Sequence, residues 1–282
     1  MILLDYSGIS VAAITVQQLE IKEDVIRHFI LNSIRMYNKK YRDKYGAMVI
    51  CTEGRRNWRK DYFPEYKFKR KSGREESKVD WAEAFRIINL VVEEIIENMP
   101  WYVVNVNSCE ADDTIAHIAL STQEFGQYED VMIVSSDKDF LQLQAGNPNI
   151  QQYSPMVKKL LVQKDKFDLH EHICRGDSSD GVPNILSPDD TFVTGTRQAS
   201  MMKKKIDLWR DDMSLMPEEQ VRNYKRNTVL IDLRETPKSV QTEILDAYGA
   251  KKKAHPTKAM NYLIKKRCRN LIECVGDFAN NH

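Results

Sequence analysis

The stretch VMIVSSDKD at residues 131–139 holds the pattern that decides the fold of this chain. Four apolar residues are followed by a polar turn that carries Asp137 and Asp139. The same succession occurs three more times, at residues 2–4 before Asp5, 48–51 before Glu53 and 101–106 before Glu110. Short apolar runs bounded by turn signals are typical of buried strands, so the sequence predicts four strands that each lead to an acid.

Helical patterns separate these runs. Apolar residues recur at helical spacing in residues 25–37 and 81–96, and Pro100 is expected to end the second helix. Strands that alternate with helices predict an α/β fold with a parallel, doubly wound sheet, whose functional edge lies at the carboxyl ends of its strands. Later, a short run at 159–162 gives way to helical and turn-rich sequence. We therefore expect one domain over residues 1–165 and a smaller helical domain over 166–282.

Composition and charge limit the class of protein. Of the 282 residues 29% are charged, and no uncharged apolar run approaches the roughly 18 residues of a membrane span. The opening MILLDYSGIS has no basic region or cleavage site, so we expect a cytoplasmic protein. The five cysteines are odd in number and widely spaced, which indicates reduced thiols and argues against a zinc site. Any metal should therefore be a hard cation with oxygen ligands.

Carboxylates form the strongest chemical signal in the sequence. The set comprises Asp5, Glu53, Glu110, Asp112, Asp113, Asp137, Asp139, Asp177 and Asp180. Carboxylates gathered at one sheet edge would repel by about 4 kcal/mol per pair at ~4 Å and an effective dielectric of about 20, so they need cations. Oxygen ligands suit Mg²⁺ or Mn²⁺, and two such ions ~3.5–4 Å apart favour hydrolysis of a phosphodiester. Any one acid alone is better explained by helix capping or a turn, so this interpretation depends on the whole set.

Basic residues are concentrated in two segments. Residues 55–74 hold nine Lys or Arg against two acids, and residues 251–269 hold eight against none, which favours a polyanion as partner. The first segment also carries five aromatic residues that are candidates for stacking on unpaired bases: Trp58, Tyr62, Phe63, Tyr66 and Phe68. The alternative for this segment is a solvated helical face that a few aromatic residues anchor.

Several of these motifs together resemble the 5′ nuclease or flap endonuclease family, most closely its T-even bacteriophage branch. They are LLDYS at 3–7, E-A-D-D at 110–113, S-S-D-K-D-F at 135–140 and G-D-S-S-D-G-V-P at 176–183, in this order and over nearly the whole chain. The resemblance implies a PIN-like parallel sheet flanked by helices. It also implies two Mg²⁺ ions, with Mn²⁺ able to replace them, held by the acids above. Glu53 stands where the family usually has aspartate, so it would bind a displaced metal, act through water or weaken the site.

The resemblance also implies roles for the basic segment and the second domain. Tyr66, Lys67 and Arg70 look like the base of the family's helical arch, here about residues 54–80, with Lys67 and Arg70 at the scissile phosphate. Arg59 and Lys60 are further expected nucleic-acid contacts. The turn from Gly176 to Gly181 resembles the start of a helix-three-turn-helix element, which grips one duplex strand and often holds K⁺. The later stretch TGTRQAS departs from that pattern, so the element is degenerate and the sequence leaves open whether its potassium site is kept.

By resemblance, the chain is expected to be a 5′ to 3′ exonuclease and flap endonuclease with ribonuclease H activity. Its substrates would be DNA and RNA/DNA duplexes with frayed or flapped 5′ ends, and its task primer removal in phage replication, in the host cytoplasm. A single-stranded-DNA-binding protein is the implied partner, and we expect a monomer. One alternative is a non-catalytic module that binds forked DNA. A Toprim-type domain fits poorly, because such domains begin with Glu and D-x-D, whereas this chain begins with Asp5 and carries E-A-D-D.

Overall fold

A six-stranded sheet organises the computed structural model, which describes residues 1–15, 21–124, 126–163 and 167–279. Its strands are β1 Ile2–Asp5, β2 Met48–Thr52, β3 Tyr102–Asn105, β4 Val131–Val134, β5 Ile150–Ser154 and β6 Lys159–Leu161. The order is β3-β2-β1-β4-β5-β6, with every pair parallel except β5 and β6. The expected mostly parallel α/β sheet is confirmed. All four predicted strands are present, and the order places β1 between β2 and β4.

Twelve α-helices lie within the described residues. They are α1 Tyr6–Thr15, α2 Glu23–Tyr45, α3 Trp58–Tyr62, α4 Lys69–Glu75, α5 Trp81–Asn98, α6 Ala111–Ser121, α7 Leu169–Arg175, α8 Lys203–Asp211, α9 Glu218–Ile231, α10 Lys238–Gly249, α11 Thr257–Lys265 and α12 Arg269–Ile272. Short 3₁₀ helices cover Lys138–Gln144, Met213–Leu215, Leu233–Glu235 and Val275–Phe278. The helical patterns at 25–37 and 81–96 thus correspond to α2 and α5, and α5 ends just before Pro100. No helix in this described part is long and apolar enough to cross a membrane.

The main hydrophobic core lies between the sheet and helices α2 and α5. Ile30 and Ile34 of α2 and Ile87 of α5 are fully buried, and they belong to one cluster with Ile2 and Leu4 of β1. Successive side chains of a strand point to opposite faces, so Leu3 faces away from this cluster. Helix α6 also contacts β1, β2 and β3. This packing fixes the sheet, so the backbone at the carboxyl ends of its strands is held in place.

A buried ion network ties the C-terminal helices to this core. Arg27 of α2 donates to Glu94 of α5 at 2.7 Å, and Tyr262 of α11 donates to the same carboxylate at 2.6 Å. Lys266 pairs with Glu94 as well. Burial alone would raise the pKa of Glu94, but the hydrogen bonds from Arg27, Lys266 and Tyr262 together hold it below its ordinary value. Glu94 is therefore the ionised centre that joins three helices.

The chain forms two compact units. Unit one comprises residues 1–55, 78–162 and 239–282, and unit two comprises 56–77 and 163–238. This grouping differs from a single boundary at residue 165, a position outside the described residues. The chain returns to unit one because its last helices carry apolar side chains into the main core: Leu263 and Leu271 are buried there, and Phe278 stacks on Trp101 at 5.2 Å. The division of function between residues 1–165 and 166–282 stays a prediction.

Candidate active site

Three of the expected metal ligands lie at the carboxyl edge of the sheet in unit one. Asp5 ends β1, Glu53 follows β2, and Asp137 follows β4 after two serines. β1 pairs in parallel with both β2 and β4, and Asp5 lies opposite Cys51 in the register. Parallel pairing brings the strand ends to one side, so the pattern seen in the sequence becomes a row of carboxylates.

Two serine hydroxyls connect this row. The Oγ of Ser7 lies 3.0 Å from Asp5 Oδ1 and 2.9 Å from Glu53 Oε1, so it can donate to either oxygen. Ser135 donates from Oγ to Asp5 Oδ2 at 2.8 Å and accepts from the backbone amide of Asp137 at 3.1 Å. A hydroxyl orients a carboxylate but is neutral, so these contacts fix the oxygens without cancelling their charge.

The beginning of α6 extends the row. The backbone amide of Ala111 donates to Glu53 Oε2 at 3.2 Å, so the longer side chain of Glu53 spans from Ser7 to the helix. Asp113 is fully buried and accepts from the backbone amide of Glu110 at 3.2 Å, which is a helix-capping contact. Glu110 is also buried, and the partial positive charge of the helix N-terminus favours carboxylates here.

The turn after β4 positions Asp137 and Asp139. Asp137 accepts from the backbone amide of Asp139 at 2.9 Å and so caps the 3₁₀ helix Lys138–Gln144. Asp137 is exposed, whereas Asp139 and Asp112 are half-buried. Gln152 of β5 donates its amide to the carbonyl oxygens of Ser135 and Asp137, which holds this turn against the sheet.

Two glycines make the close approach of these groups possible. A Cβ on Gly8 would lie 2.7 Å from Asp5 Oδ2, and a Cβ on Gly54 would lie 2.2 Å from the carbonyl oxygen of Val106. Gly54 also donates its amide to the Cys109 carbonyl at 2.9 Å, which holds the end of β2 against the loop before α6. A side chain at position 54 would therefore collide with backbone, whereas one at position 8 would displace the Asp5 carboxylate.

The electrostatic field at this edge is negative. Burial raises the pKa of the Cys51 thiol well above its ordinary value, and the negative charges of Asp5 and Asp112 raise it further. Cys51 therefore stays a neutral thiol inside β2. Oxygen donors that converge in a negative field are the ligand type that Mg²⁺ and Mn²⁺ prefer, so the residues of this edge fit a hard divalent cation.

The basic stretch at residues 251–253 lies near the amino ends of the strands in unit one. Lys251 Nζ is 3.6 Å from the ring centre of Tyr248 and 5.2 Å from that of Tyr102, and Lys253 Nζ is 5.1 Å from Tyr102. Tyr102 is the first residue of β3, whereas the acids follow the last residues of the strands. These lysines are therefore separate from the carboxylate row.

Unit two contains the other two expected metal ligands, in the turn after α7. Asp177 Oδ1 accepts from the amides of Ser179 at 2.8 Å and Asp180 at 3.3 Å, which is the local bonding of aspartate in turns. Asp180 has a different set of partners. Its Oδ2 accepts from Tyr66 Oη at 2.8 Å, and its Oδ1 accepts from Arg70 at 2.6 Å.

Lys67 completes the group around Asp180. Its Nζ lies 3.4 Å from Asp180 Oδ2, and its backbone amide donates to the Asp180 carbonyl at 2.7 Å. Lys67 has φ of +57°, a conformation that costs a non-glycine residue of the order of 1–3 kcal/mol and that its surroundings must impose. The three residues expected at the base of the arch thus meet at one carboxylate.

Gly176 and Gly181 have steric roles in this turn. Both have positive φ, of +68° and +74°. A Cβ on Gly176 would lie 2.4 Å from the Val182 carbonyl, and one on Gly181 would lie 3.1 Å from the Glu65 carbonyl and 3.4 Å from the Lys67 amide. The glycines let the turn approach the basic segment, and a nucleic-acid contact by them stays a proposal.

Packing divides the aromatic and basic residues of the segment into two groups. Trp58, Phe63 and Tyr66 are buried, whereas Tyr62 and Phe68 are about half exposed and remain candidates for base stacking. Arg59 differs from the expected phosphate contact. It is only 2% exposed and donates from Nε to the carbonyl of Leu230 at 3.0 Å, so it packs α3 against α9, whereas Lys60 is exposed.

Comparison with known proteins decides the family. A family model described as 5′-3′ exonuclease, N-terminal resolvase-like domain, matches residues 10–172, more than half of the chain. The chain belongs to the 5′-3′ exonuclease family. A second family model, which describes the C-terminal part of T4 RNase H, matches residues 164–278 of the chain.

Similar individual proteins support the same family assignment. This exonuclease-family chain is 32% identical to the ribonuclease H of Enterobacteria phage T4, over 98% of this chain and 95% of that protein. It is 30% identical to a 5′-3′ exonuclease of Buchnera aphidicola subsp. Schizaphis graminum, over 52% of this chain and 50% of that one. As a family member the chain is a metal-dependent nuclease, a phosphodiester hydrolase, which confirms that expectation.

Solved structures confirm the fold. The bacteriophage T5 protein co-crystallised with metal ions has a TM-score of 0.60 at 15% identity and covers 99% of both chains. The T5 flap endonuclease in a pseudo-enzyme-product complex with DNA and metal ions has a TM-score of 0.61 at 15% identity, over 98% of both chains. At this identity the likeness shows the fold alone.

Sequence reasoning missed several residues that build the site of this exonuclease. They are Ser7, Ser135, Gln152, Gly8 and Gly54. Ser7, Gly8, Gly54 and Ser135 lie within three residues of a strand-end acid, and this position is a usable signal. Serine and glycine are common in turns for other reasons, so position alone would not have separated these from ordinary turn residues.

Proposed function

We propose that this chain is a two-metal 5′ to 3′ exonuclease and flap endonuclease that acts on DNA and RNA/DNA duplexes with frayed or flapped 5′ ends. The observation that carries the proposal is the connected row of carboxylates at the carboxyl edge, in a chain of the 5′-3′ exonuclease family. The metal ions are proposed to be Mg²⁺, with Mn²⁺ as a substitute. Removal of RNA primers from lagging-strand fragments in phage replication is the proposed task.

Each residue of the row has a part in this mechanism. Asp5, Glu53 and Asp137 would hold the cations, and Ser7 and Ser135 orient the oxygens of Asp5 and Glu53. The proposed set continues with Glu110, Asp112, Asp113, Asp139, Asp177 and Asp180. When bound, two divalent cations supply charge stabilisation for in-line attack of water on the phosphodiester and for the departing oxygen.

The basic segment is proposed to act on the phosphate itself. Lys67 and Arg70 carry positive charge on a conformation that the turn of unit two fixes, and fixed charges stabilise a transition state better than mobile ones. Lys60, Tyr62 and Phe68 are the exposed members that would contact the single strand. A potassium ion at the turn of residues 176–181 is not needed for this mechanism.

Partners and assembly follow from the same proposal. The substrate is forked or flapped nucleic acid, and a single-stranded-DNA-binding protein is the proposed protein partner of a monomeric enzyme. The lysines at 251–253 are proposed to contact either that protein or duplex DNA, at the sheet edge opposite the carboxylate row.

The test compares substrates that differ only in the 5′ strand. We expect the enzyme with Mg²⁺ to shorten the 5′ strand of a flapped DNA duplex and of an RNA/DNA hybrid, and to leave a matched 3′ flap intact. The shortened strand should carry a 5′ phosphate, so DNA ligase should seal it to an upstream strand. Cleavage of the 3′ flap at equal rate, or products that ligase cannot seal, would refute this polarity.

A further inference from the structure

Strand β5 carries a polar side chain where the neighbouring strands carry apolar ones. Gln152 lies opposite Ile133 of β4 and Leu161 of β6, and it is fully buried. Its Nε2 donates to the carbonyl oxygens of Ser135 and Asp137, and its Oε1 has no hydrogen-bond partner among the described residues. A buried polar atom without a partner destabilises the folded state, so packing alone does not explain a glutamine at this position.

β5 holds the turn after β4 at several points. The side-chain nitrogen of Gln152 carries two hydrogens, and these serve two carbonyls of the turn that lie two residues apart. The backbone amide of Ser135 donates to a carbonyl of β5 at 3.2 Å. The hydroxyl of Ser136 lies 2.9 Å from that of Ser154. Each of the residues 135–137 is therefore bonded to β5 by at least one hydrogen bond.

The same turn orients two of the proposed metal ligands. Asp137 belongs to the turn, and Ser135 donates from Oγ to Asp5 Oδ2 at 2.8 Å. The Ser135 hydroxyl also accepts from the Asp137 amide at 3.1 Å. A shift of the turn would therefore move Asp137 directly and take from Asp5 one of its donors. Gln152 bonds the backbone of this turn, so its effect on both carboxylates is indirect.

We propose that Gln152 is a positioning residue that places Asp5 and Asp137 for divalent metal ions. The inference rests on the proposed function, in which these two carboxylates hold the cations. Mg²⁺ demands near-ideal octahedral geometry, so its ligands must be held closely in place. Groups that bond a metal ligand without touching the metal typically change metal affinity by about 10–100-fold when they are lost. β5 thus contributes to the metal site although its sequence IQQYS carries no acid.

The first test measures metal binding without substrate. Gln152→Met keeps an unbranched side chain of similar length and removes both donated hydrogen bonds. The matched control is Gln151→Met, because Gln151 is the next residue of β5, points to the opposite face and accepts from Tyr45 at 2.7 Å. Titration with Mn²⁺, followed by electron paramagnetic resonance, should give an affinity weaker by about tenfold or more for Gln152→Met and wild-type affinity for Gln151→Met. Wild-type affinity in Gln152→Met would overturn the proposal.

A second variant covers the case in which Gln152→Met does not fold. Gln152→Asn keeps an amide in the core but is one methylene shorter, so it withdraws the donor from the two carbonyls. Weaker Mn²⁺ binding by this variant supports the proposal, and wild-type binding overturns it.

The second test measures order in the turn without metal. Amide hydrogen exchange in EDTA should be faster over residues 135–139 in Gln152→Met than in the wild type, because the amides of Asp137 and Asp139 find their acceptors within this turn. Exchange over β1 should be unchanged, and Gln151→Met should match the wild type over both segments. Equal exchange over residues 135–139 in the wild type and Gln152→Met would show that the glutamine does not hold the turn.

The third test separates positioning from general damage. On a forked duplex, Gln152→Met should raise the Mg²⁺ concentration for half-maximal cleavage by about tenfold or more, while KM for the duplex at saturating Mg²⁺ stays at the wild-type value. An unchanged Mg²⁺ midpoint, with activity lost in proportion to folded protein, would contradict the proposal. If the wild type cleaves nothing, the proposed function fails, and the Mn²⁺ and exchange measurements still decide the role of Gln152.

Discussion

Gly8→Ala should damage the reaction while leaving the fold intact. Gly8 is an exposed residue of α1 with an ordinary negative φ, so the backbone accepts alanine, and replacing a helical glycine stabilises by roughly 0.5–1 kcal/mol. The new Cβ, however, would lie 2.7 Å from Asp5 Oδ2. Non-bonded heavy atoms prefer about 3.5 Å, so this oxygen, which accepts from the Ser135 hydroxyl, must move by about 0.8 Å.

The displacement acts on a proposed metal ligand and not on the core. We expect kcat on a forked duplex to fall by of the order of 10²-fold, because misplacement of a reacting group by about 1 Å has that effect. The midpoint of thermal unfolding in EDTA should stay equal or rise. Gly249→Ala is the matched control, since a Cβ there meets nothing within 4 Å, and it should change neither quantity. Full activity in Gly8→Ala, or a fall in unfolding midpoint with activity lost in proportion, would refute the reasoning.

Three further predictions concern packing, charge and catalysis. Gly54→Ala forces backbone apart, so chemical denaturation should show a loss of about 1–3 kcal/mol or more in the free energy of unfolding, unlike Gly8→Ala. Glu94→Gln leaves the buried Arg27 with Glu23 as its remaining charge partner, and urea unfolding at pH 7 should show a loss toward the lower end of about 3–5 kcal/mol. The pKa of Glu94 is lowered in the folded state, so the wild type should exceed Glu94→Gln in free energy of unfolding by the full amount above the unfolded pKa of about 4.3. This difference should shrink as the pH falls through the folded-state pKa of Glu94. A difference that grows in acid would contradict the prediction. Lys67→Gln should lower turnover more than affinity, whereas Lys252→Gln should instead reduce the log-log salt slope of duplex binding by about 0.9 if that lysine contacts a phosphate; equal effects of Lys67→Gln on both quantities would argue against its role.

The carboxyl edge was predictable because its signal is local. Each apolar run and its acid are close in sequence, and parallel pairing of the strands brings these acids to one edge of the sheet. The link through Ser7 was not predictable, because it depends on the register that brings Glu53, 46 residues away, to the same hydroxyl. The reach of the Glu53 side chain to the amide of Ala111 is likewise visible only in the structure.

Strand β5 is an element that the sequence pattern did not predict. Its sequence IQQYS lacks an apolar run, yet Gln152 is fully buried. The side-chain nitrogen of Gln152 donates to two carbonyls of the turn after β4, so this nitrogen is satisfied by tertiary contacts that no local pattern reveals. The return of the last helices to unit one has the same cause, because their apolar faces pack on residues far away in sequence.

The basic segment shows why composition alone misleads. Nine basic residues and five aromatics predict a surface for nucleic acid, and the same composition also serves packing. Arg59 donates to Leu230, 171 residues further along the chain, and Tyr66 donates to Asp180. Arg59 and Tyr66 are buried, whereas Tyr62 is exposed. The sequence cannot predict this difference, because the segment has no clear periodicity from which burial could be inferred.

The central claim is that the carboxylate row holds the metal ions that cleave nucleic acid from a 5′ end. The most direct measurement is cleavage of a 5′-labelled forked duplex with Mg²⁺ and with EDTA, for the wild type and for Asp137→Asn. We predict short 5′ products with Mg²⁺ that are absent in EDTA and absent in the variant. Tight binding of the fork with no cleavage under any divalent metal would contradict the claim and favour a non-catalytic module that binds forked DNA.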